Sequence, residues 1–169
     1  MLLVLRILHI VIGTFWAGTI IFMAAFLAPS ARAAGPAAGP LMGQLMQVRK
    51  LTPWLIASGC VTVLAGALLL WHASGGFRPE WMGSPMGIGY STGGLLAILG
   101  LLLGVTQNAP TAQKIAALTA RRAAATTPPT PEEVAELQRL NARMAILGKL
   151  GAALLGGATL CMAVARYLG

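Results

Sequence analysis

LVLRILHIVIGTFWAGTIIFMAAFLA, residues 3–28, is apolar almost throughout, with Arg6 and His9 as its only ionisable side chains. A helix needs about 20 predominantly apolar residues to cross roughly 30 Å of hydrocarbon, and this stretch exceeds that length. Three more such stretches follow, at residues 52–73, 88–107 and 144–166, so more than half of the 169-residue chain is apolar at membrane-spanning length. The pattern predicts an all-α fold: an integral membrane four-helix bundle, up-down-up-down, forming a single membrane domain over 1–169.

Composition agrees. With 57% hydrophobic residues, 9% charged residues and a mean hydropathy of +0.77, a water-soluble domain of this size would lack a polar surface. A net charge of +8 raises the question of nucleic acid. The basic residues sit singly at the ends of apolar runs, without interleaved exposed aromatics, which is the pattern of topology signals; the expected partners are anionic headgroups of the bilayer, and no nucleic acid.

The same residues set the expected orientation. Arg32, Arg49 and Lys50 follow the first stretch, and Lys114, Arg121, Arg122, Arg139, Arg143 and Lys149 surround the third connection. Arg6, Arg78 and Arg166 mark the other side. The excess predicts both termini outside and the two basic connections in the cytoplasm of a bacterial inner membrane. Arg6 and Ala31-Arg32-Ala33 imitate a cleavable signal peptide, but a signal's apolar region spans about 7–15 residues, so the first stretch reads as a retained helix.

Between the stretches, Pro29 is expected to close the first helix, with Gly35-Pro36 and Gly39-Pro40 breaking the chain again. Residues 41–50 then read either as a short stripe along the membrane surface or as a loop helix packed on the bundle. Ser74 to Gly87, rich in Gly and Pro, reads as an ordered turn. Trp71, Trp81, Tyr90 and Tyr167 are expected to form an outer aromatic belt, with Trp54 at the inner face.

The third connection, about 108–143, predicts a cytoplasmic helical extension. A helix resumes after Asn108-Ala109-Pro110 and ends at Thr126-Thr127-Pro128-Pro129. Thr130-Pro131-Glu132-Glu133 then supplies a capping threonine, a proline at the first helical position and a glutamate at the third. Val134, Leu137, Leu140, Met144 and Leu147 recur at helical spacing, so this helix is expected to run unbroken into the fourth span. The extensions of helices three and four would form a cytoplasmic helical hairpin projecting roughly 20 Å.

Small residues fall four apart at Gly13 and Ala17, Thr14 and Gly18, Gly100 and Gly104, and along Gly148, Ala152 and Gly156, which lets helix backbones approach closely. No carboxylate lies in any apolar stretch, and the chain has no Asp, so the groups that proton relays and cation sites use are missing from the spans. His9 and His72 are the only histidines. Both fall toward the outer side, which makes them the candidate ligands of a haem b or a copper ion. Arg6, Arg78 and Arg166 would meet haem propionates, and Met82 or Met86 would assist copper. Helical rise gives His9 and His72 a height mismatch of roughly 6 Å. Cys60 and Cys161 differ by more than roughly 10 Å in height and read as free, packed thiols. Without a Cys pair motif, a phosphate loop or a serine-based catalytic spacing, the chain does not read as an enzyme.

Leu5-Arg6-Ile7-Leu8-His9-Ile10, Gly13-Thr14-Phe15-Trp16-Ala17-Gly18 and the closing Ala28-Pro29 resemble the first helix of the CopD-like small bacterial membrane proteins. More loosely, the stretch is similar to the first helix of the HemJ group, linked to haem synthesis, whose members bind haem through membrane histidines. The resemblance covers about 30 residues well. It implies a four-helix bundle with His9 as a ligand and with Trp16 and Gly18 as packing positions. Two functional readings follow. The first is a structural or accessory subunit of a larger inner-membrane assembly, respiratory or photosynthetic, together with other membrane-protein subunits. The second is a small haem b- or copper-binding protein using His9 and His72. Solute transport stands third, because no charged or broken-helix site near the midplane is visible.

Overall fold

The computed structural model describes residues 1–168, the side chain of Pro36 excepted. Every regular element among them is helical: α1 (Leu2–Ala34), α2 (Gly39–Gly43), α3 (Leu51–Ala73), α4 (Pro79–Met82), α5 (Pro85–Ala124) and α6 (Pro131–Ala165). Four of these, α1, α3, α5 and α6, are long and apolar enough to cross a membrane.

Two prolines do not end helices as the sequence suggested. Pro29 lies inside α1 and Pro110 inside α5, and each follows a widened turn of π type, Met23–Leu27 and Gly104–Asn108. A proline normally breaks a helix because it has no N–H and its ring strikes the carbonyl one turn back. Here the preceding residue bonds one position further back, Ala28 N–H to the Met23 carbonyl and Ala109 N–H to the Gly104 carbonyl. The extra residue in the turn re-phases the chain ahead of each ring, and the helix continues. The first break comes at Gly35, whose φ of +57° suits glycine. Residues 35–48 then pass through a 3₁₀ turn, α2 and another π turn to Lys50, itself left-handed at φ +52°, before α3 begins.

The consequence is a difference in length. α3, with 23 residues, spans about 35 Å, close to the hydrocarbon thickness. α1 (33 residues), α5 (40) and α6 (35) reach about 50, 60 and 52 Å and outrun it. The register places the excess at one end of the bundle. On α1 and α3, Gly13 meets Thr62 and Trp16 meets Gly59, an antiparallel seam. On α5 and α6, Gly89 meets Ala165, Gly93 meets Met162, Gly100 meets Leu155, and the pairing continues through Gln107 with Arg143 to Arg122 with Glu133. Gly151 of α6 lies against Ile20 of α1 and Leu103 of α5.

The core is small: most apolar side chains of the four long helices lie exposed on the surface of the bundle, as on helices apolar enough to cross a membrane. Trp16, Ala97, Leu155 and Ala158 are buried together, with Ile20, Leu55 and Leu101 packed on them. Along the hairpin, Leu140 is buried while Leu137, Met144 and Leu147 are half-buried, which follows the helical stripe in the sequence. The turn from α3 to α5 is ordered as expected: Ser74, fully buried, accepts from Phe77 N–H at 2.8 Å and donates to the Trp71 carbonyl at 3.2 Å.

The start of α6 is a capping box. Glu133 N–H donates to Thr130 Oγ1 at 3.3 Å and Thr130 N–H donates to Glu133 Oε2 at 3.2 Å. Glu133 also accepts from Arg122 at 3.0 Å, so the cap ties the two arms of the hairpin together. Thr130→Ala is expected to cost about 1 kcal/mol. A thermal melt in mild detergent measures it, and amide exchange should localise the loss to the first turns of α6; an unchanged exchange pattern there would refute the role of the cap.

Candidate functional site

His9 is half-buried and held by a hydrogen bond within the apolar zone. Its Nδ1 lies 2.9 Å from the Thr62 carbonyl oxygen. A carbonyl only accepts, so Nδ1 carries the hydrogen and Nε2 keeps its lone pair in the neutral ring. The ring occupies a notch left by Gly66, where an added Cβ would come within 2.7 Å of His9 Cε1. His9, Gly13 and Trp16 therefore form one seam against Gly66, Thr62 and Gly59. Positions i, i+4 and i+7 of one helix face the mirrored positions of the other, and knobs alternate with notches.

His72 sits elsewhere. It is exposed, and it lines a shallow apolar groove with Met1, Leu2, Leu5, Leu68 and Trp71. Six residues separate it from Gly66, about 9 Å along α3, so the structure does not bring the two histidines together. Arg6 is exposed on the first turns of α1. Arg78 lies at the start of α4 with its Nε over Gly75, and Arg166 stacks on its neighbour Tyr167 at 5.1 Å from the ring centroid. Among the described residues, no hydrogen bond or ion pair joins these arginines to either imidazole. Among the described residues, no three His, Cys, Asp or Glu side chains gather as metal ligands.

Both cysteines are free thiols, as expected, but Cys60 is exposed where a packed position was anticipated. Gly18 likewise has nothing within 4 Å of its would-be Cβ, so it is not the packing position that the resemblance implied. Of the small residues spaced four apart, Gly13 and Gly100 are packed, whereas Gly104, Gly148 and Gly156 face open space. The aromatic residues expected at the interfaces are largely outside the core: Trp54, Trp71 and Tyr167 are exposed, while Trp81 stacks on Tyr90 at 6.5 Å and 6°.

Two features went unread in the sequence. One is the glycine series Gly59, Gly66, Gly87, Gly89 and Gly93, each in close contact with a neighbouring element. Spacing within α3, with Gly59 and Gly66 seven apart around Thr62, was the available signal. The other is the polar turn before Pro110. Arg143 donates to Gln107 Oε1, Thr111 Oγ1 donates to the Gln107 carbonyl at 2.7 Å, and Asn108 Oδ1 is buried without a partner. Gln107-Asn108 directly before Ala109-Pro110 was its sequence mark.

The chain matches no known family model, no curated protein and no solved structure.

Proposed function

We propose that this protein is a non-enzymatic structural subunit of a larger assembly in a bacterial inner membrane, respiratory or photosynthetic. In this reading its helices run up-down-up-down, both termini lie outside, and the α5–α6 hairpin stands in the cytoplasm. The observation that carries it is the surface of the overlong helices. Val134, 41% exposed on the hairpin and seventeen residues beyond Gly151, about 25 Å, is an apolar side chain on the part of the bundle that outruns the bilayer. Apolar groups exposed past the hydrocarbon call for a protein neighbour. Basic residues on the same end support the orientation.

Native gels of mild-detergent membrane extracts test the subunit reading. The 17.4 kDa chain should migrate as a species several times that mass, and Val134→Asn should release it. Migration as a lone chain in both cases would overturn the reading. For orientation, alkaline phosphatase should be active when fused after Leu168 and inactive when inserted at Ala125; the opposite pattern would invert the topology.

A second reading has one observation in its favour. The Thr62 hydrogen bond leaves His9 Nε2 with a free lone pair on an immobilised ring, which is how ligating imidazoles are oriented. The test is the visible spectrum of the purified protein, oxidised and reduced, beside His9→Ala. A reduced α-band lost in the variant would support haem b, and copper lost from the variant by elemental analysis would support copper; blank results for both would remove the reading.

A further inference from the structure

The charged residues separate into three groups along the bundle. At the hairpin tip, acids and bases are matched: Arg122 pairs with Glu133 at 3.0 Å, and Arg139 holds Glu136 through two bonds of 2.9 and 3.0 Å. Lys114, Arg121 and Glu132 belong to the same region, and Arg32, twelve residues beyond Ile20 on α1, lies about 18 Å past it at the level of Arg139. At the opposite end, Arg6, Arg78 and Arg166 accompany Glu80. Between the tip and the apolar core lie Arg49, Lys50, Arg143 and Lys149, all exposed, and no acidic residue lies at their level.

The register fixes that level. Gly151 packs against Ile20, and the α1–α3 seam sets Ile20 opposite Leu55. Lys149 is two residues and Arg143 eight residues beyond Gly151, about 3 and 12 Å; Lys50 and Arg49 are five and six residues beyond Leu55, about 8 and 9 Å. The four cations therefore share a band about 9 Å deep, two in the connection that leads into α3 and two on α6, at the place where the uncharged stretches of α3 and α6 end. Arg143 donates only to the neutral Gln107. Exposed Trp54, Ile146 and Leu150 flank the band with apolar surface.

We propose that Arg49, Lys50, Arg143 and Lys149 form a binding belt for the headgroups of anionic phospholipids, with the acyl chains lying on Trp54, Ile146 and Leu150. The argument is charge complementarity: four cations without an acid sit at headgroup depth, while every acid on that end is spent at the tip. The belt rests on the membrane placement of the four helices and is independent of the subunit role, so a lone chain on native gels leaves it standing.

Native mass spectrometry from mild detergent, with phosphatidylglycerol or phosphatidylcholine added, tests the belt. The wild-type chain should retain phosphatidylglycerol in preference to phosphatidylcholine. Arg49→Gln, Lys50→Gln, Arg143→Gln and Lys149→Gln should each weaken that retention roughly fivefold. The tip variant Lys114→Gln with Arg121→Gln should retain it fully, as should the charge-conserving Arg49→Lys with Arg143→Lys. Because each position is exposed, each single variant should fold as the wild type does and keep the readout. Equal retention of both lipids by the wild type, or the same loss in tip and belt variants, would overturn the proposal. So would inorganic phosphate displacing phosphatidylglycerol at equal concentration, since that would assign the cations to a free anion.

Discussion

Gly59→Val is expected to lower the unfolding free energy by about 3 kcal/mol or more, at the upper end of overpacking costs. The reason is the crowding at this notch. An added Cβ would come within 2.8 and 2.9 Å of the Trp16 ring and within 2.9 Å of Leu101 Cδ1, so α1, α3 and α5 all press on one point. A rigid indole cannot swing aside as a lysine tail would. The complementary change, Trp16→Ala, is expected to cost about 3 kcal/mol. That is the low end of the range for aromatic truncation, because exposure to lipid in place of water removes most of the transfer contribution and leaves the lost packing. Since the two side chains compete for the same space, the double variant should be more stable than the sum of the singles by about 1–3 kcal/mol. Thermal or denaturant unfolding in one detergent measures all three. Strict additivity would show that Trp16 does not seat in the Gly59 notch.

Gly87→Ala should be as severe, for a different reason. There the added Cβ would overlap the Trp81 carbonyl oxygen and come within 3.0 Å of Met82 Cα, so the obstacle is backbone, which has no rotamer to change. The same glycine donates its N–H to Ser84 Oγ at 3.1 Å, which caps α5 while α4 lies across its first turn. We expect a loss of about 3 kcal/mol, with the Trp81–Tyr90 stack disrupted and its fluorescence altered. Gly94→Ala, directly after the closely packed Gly93 and with nothing within 4 Å of the added carbon, is the matched control. It should be neutral or stabilising by about 0.5–1 kcal/mol, because alanine has the higher helix propensity. Equal damage at both positions would mean that contact with α4 is not what selects glycine at 87.

Several features were legible residue by residue. The four spans follow from uninterrupted apolar length, and the start of α6 from Thr130, Pro131 and Glu133, because hydropathy and capping are local properties. The continuous α6 was also legible, since its apolar stripe never loses phase between Val134 and Leu147. Pro29 and Pro110 were misleading because a proline's effect depends on whether the preceding turn widens, and nothing in either dipeptide states that. The candidate site was legible in its residues and not in its arrangement. His9 stood out as an imidazole in an apolar stretch, yet its partner was the carbonyl of Thr62 and not the second histidine.

The sequence by itself determined that this chain is a bundle of apolar helices, where each helix begins to be long enough to span, and on which end the cations gather. Tertiary structure decided the register: which glycine receives Trp16, which receives His9, how far His72 stands from it, and that Arg49 and Lys50 of one segment share a level with Arg143 and Lys149 of another. Hydrophobic length is satisfied by any sliding of one helix along its neighbour, since lipid is as apolar as the facing side chains. Only the fit of particular large side chains into particular glycine notches removes that freedom, and that fit exists between helices and not within any one of them.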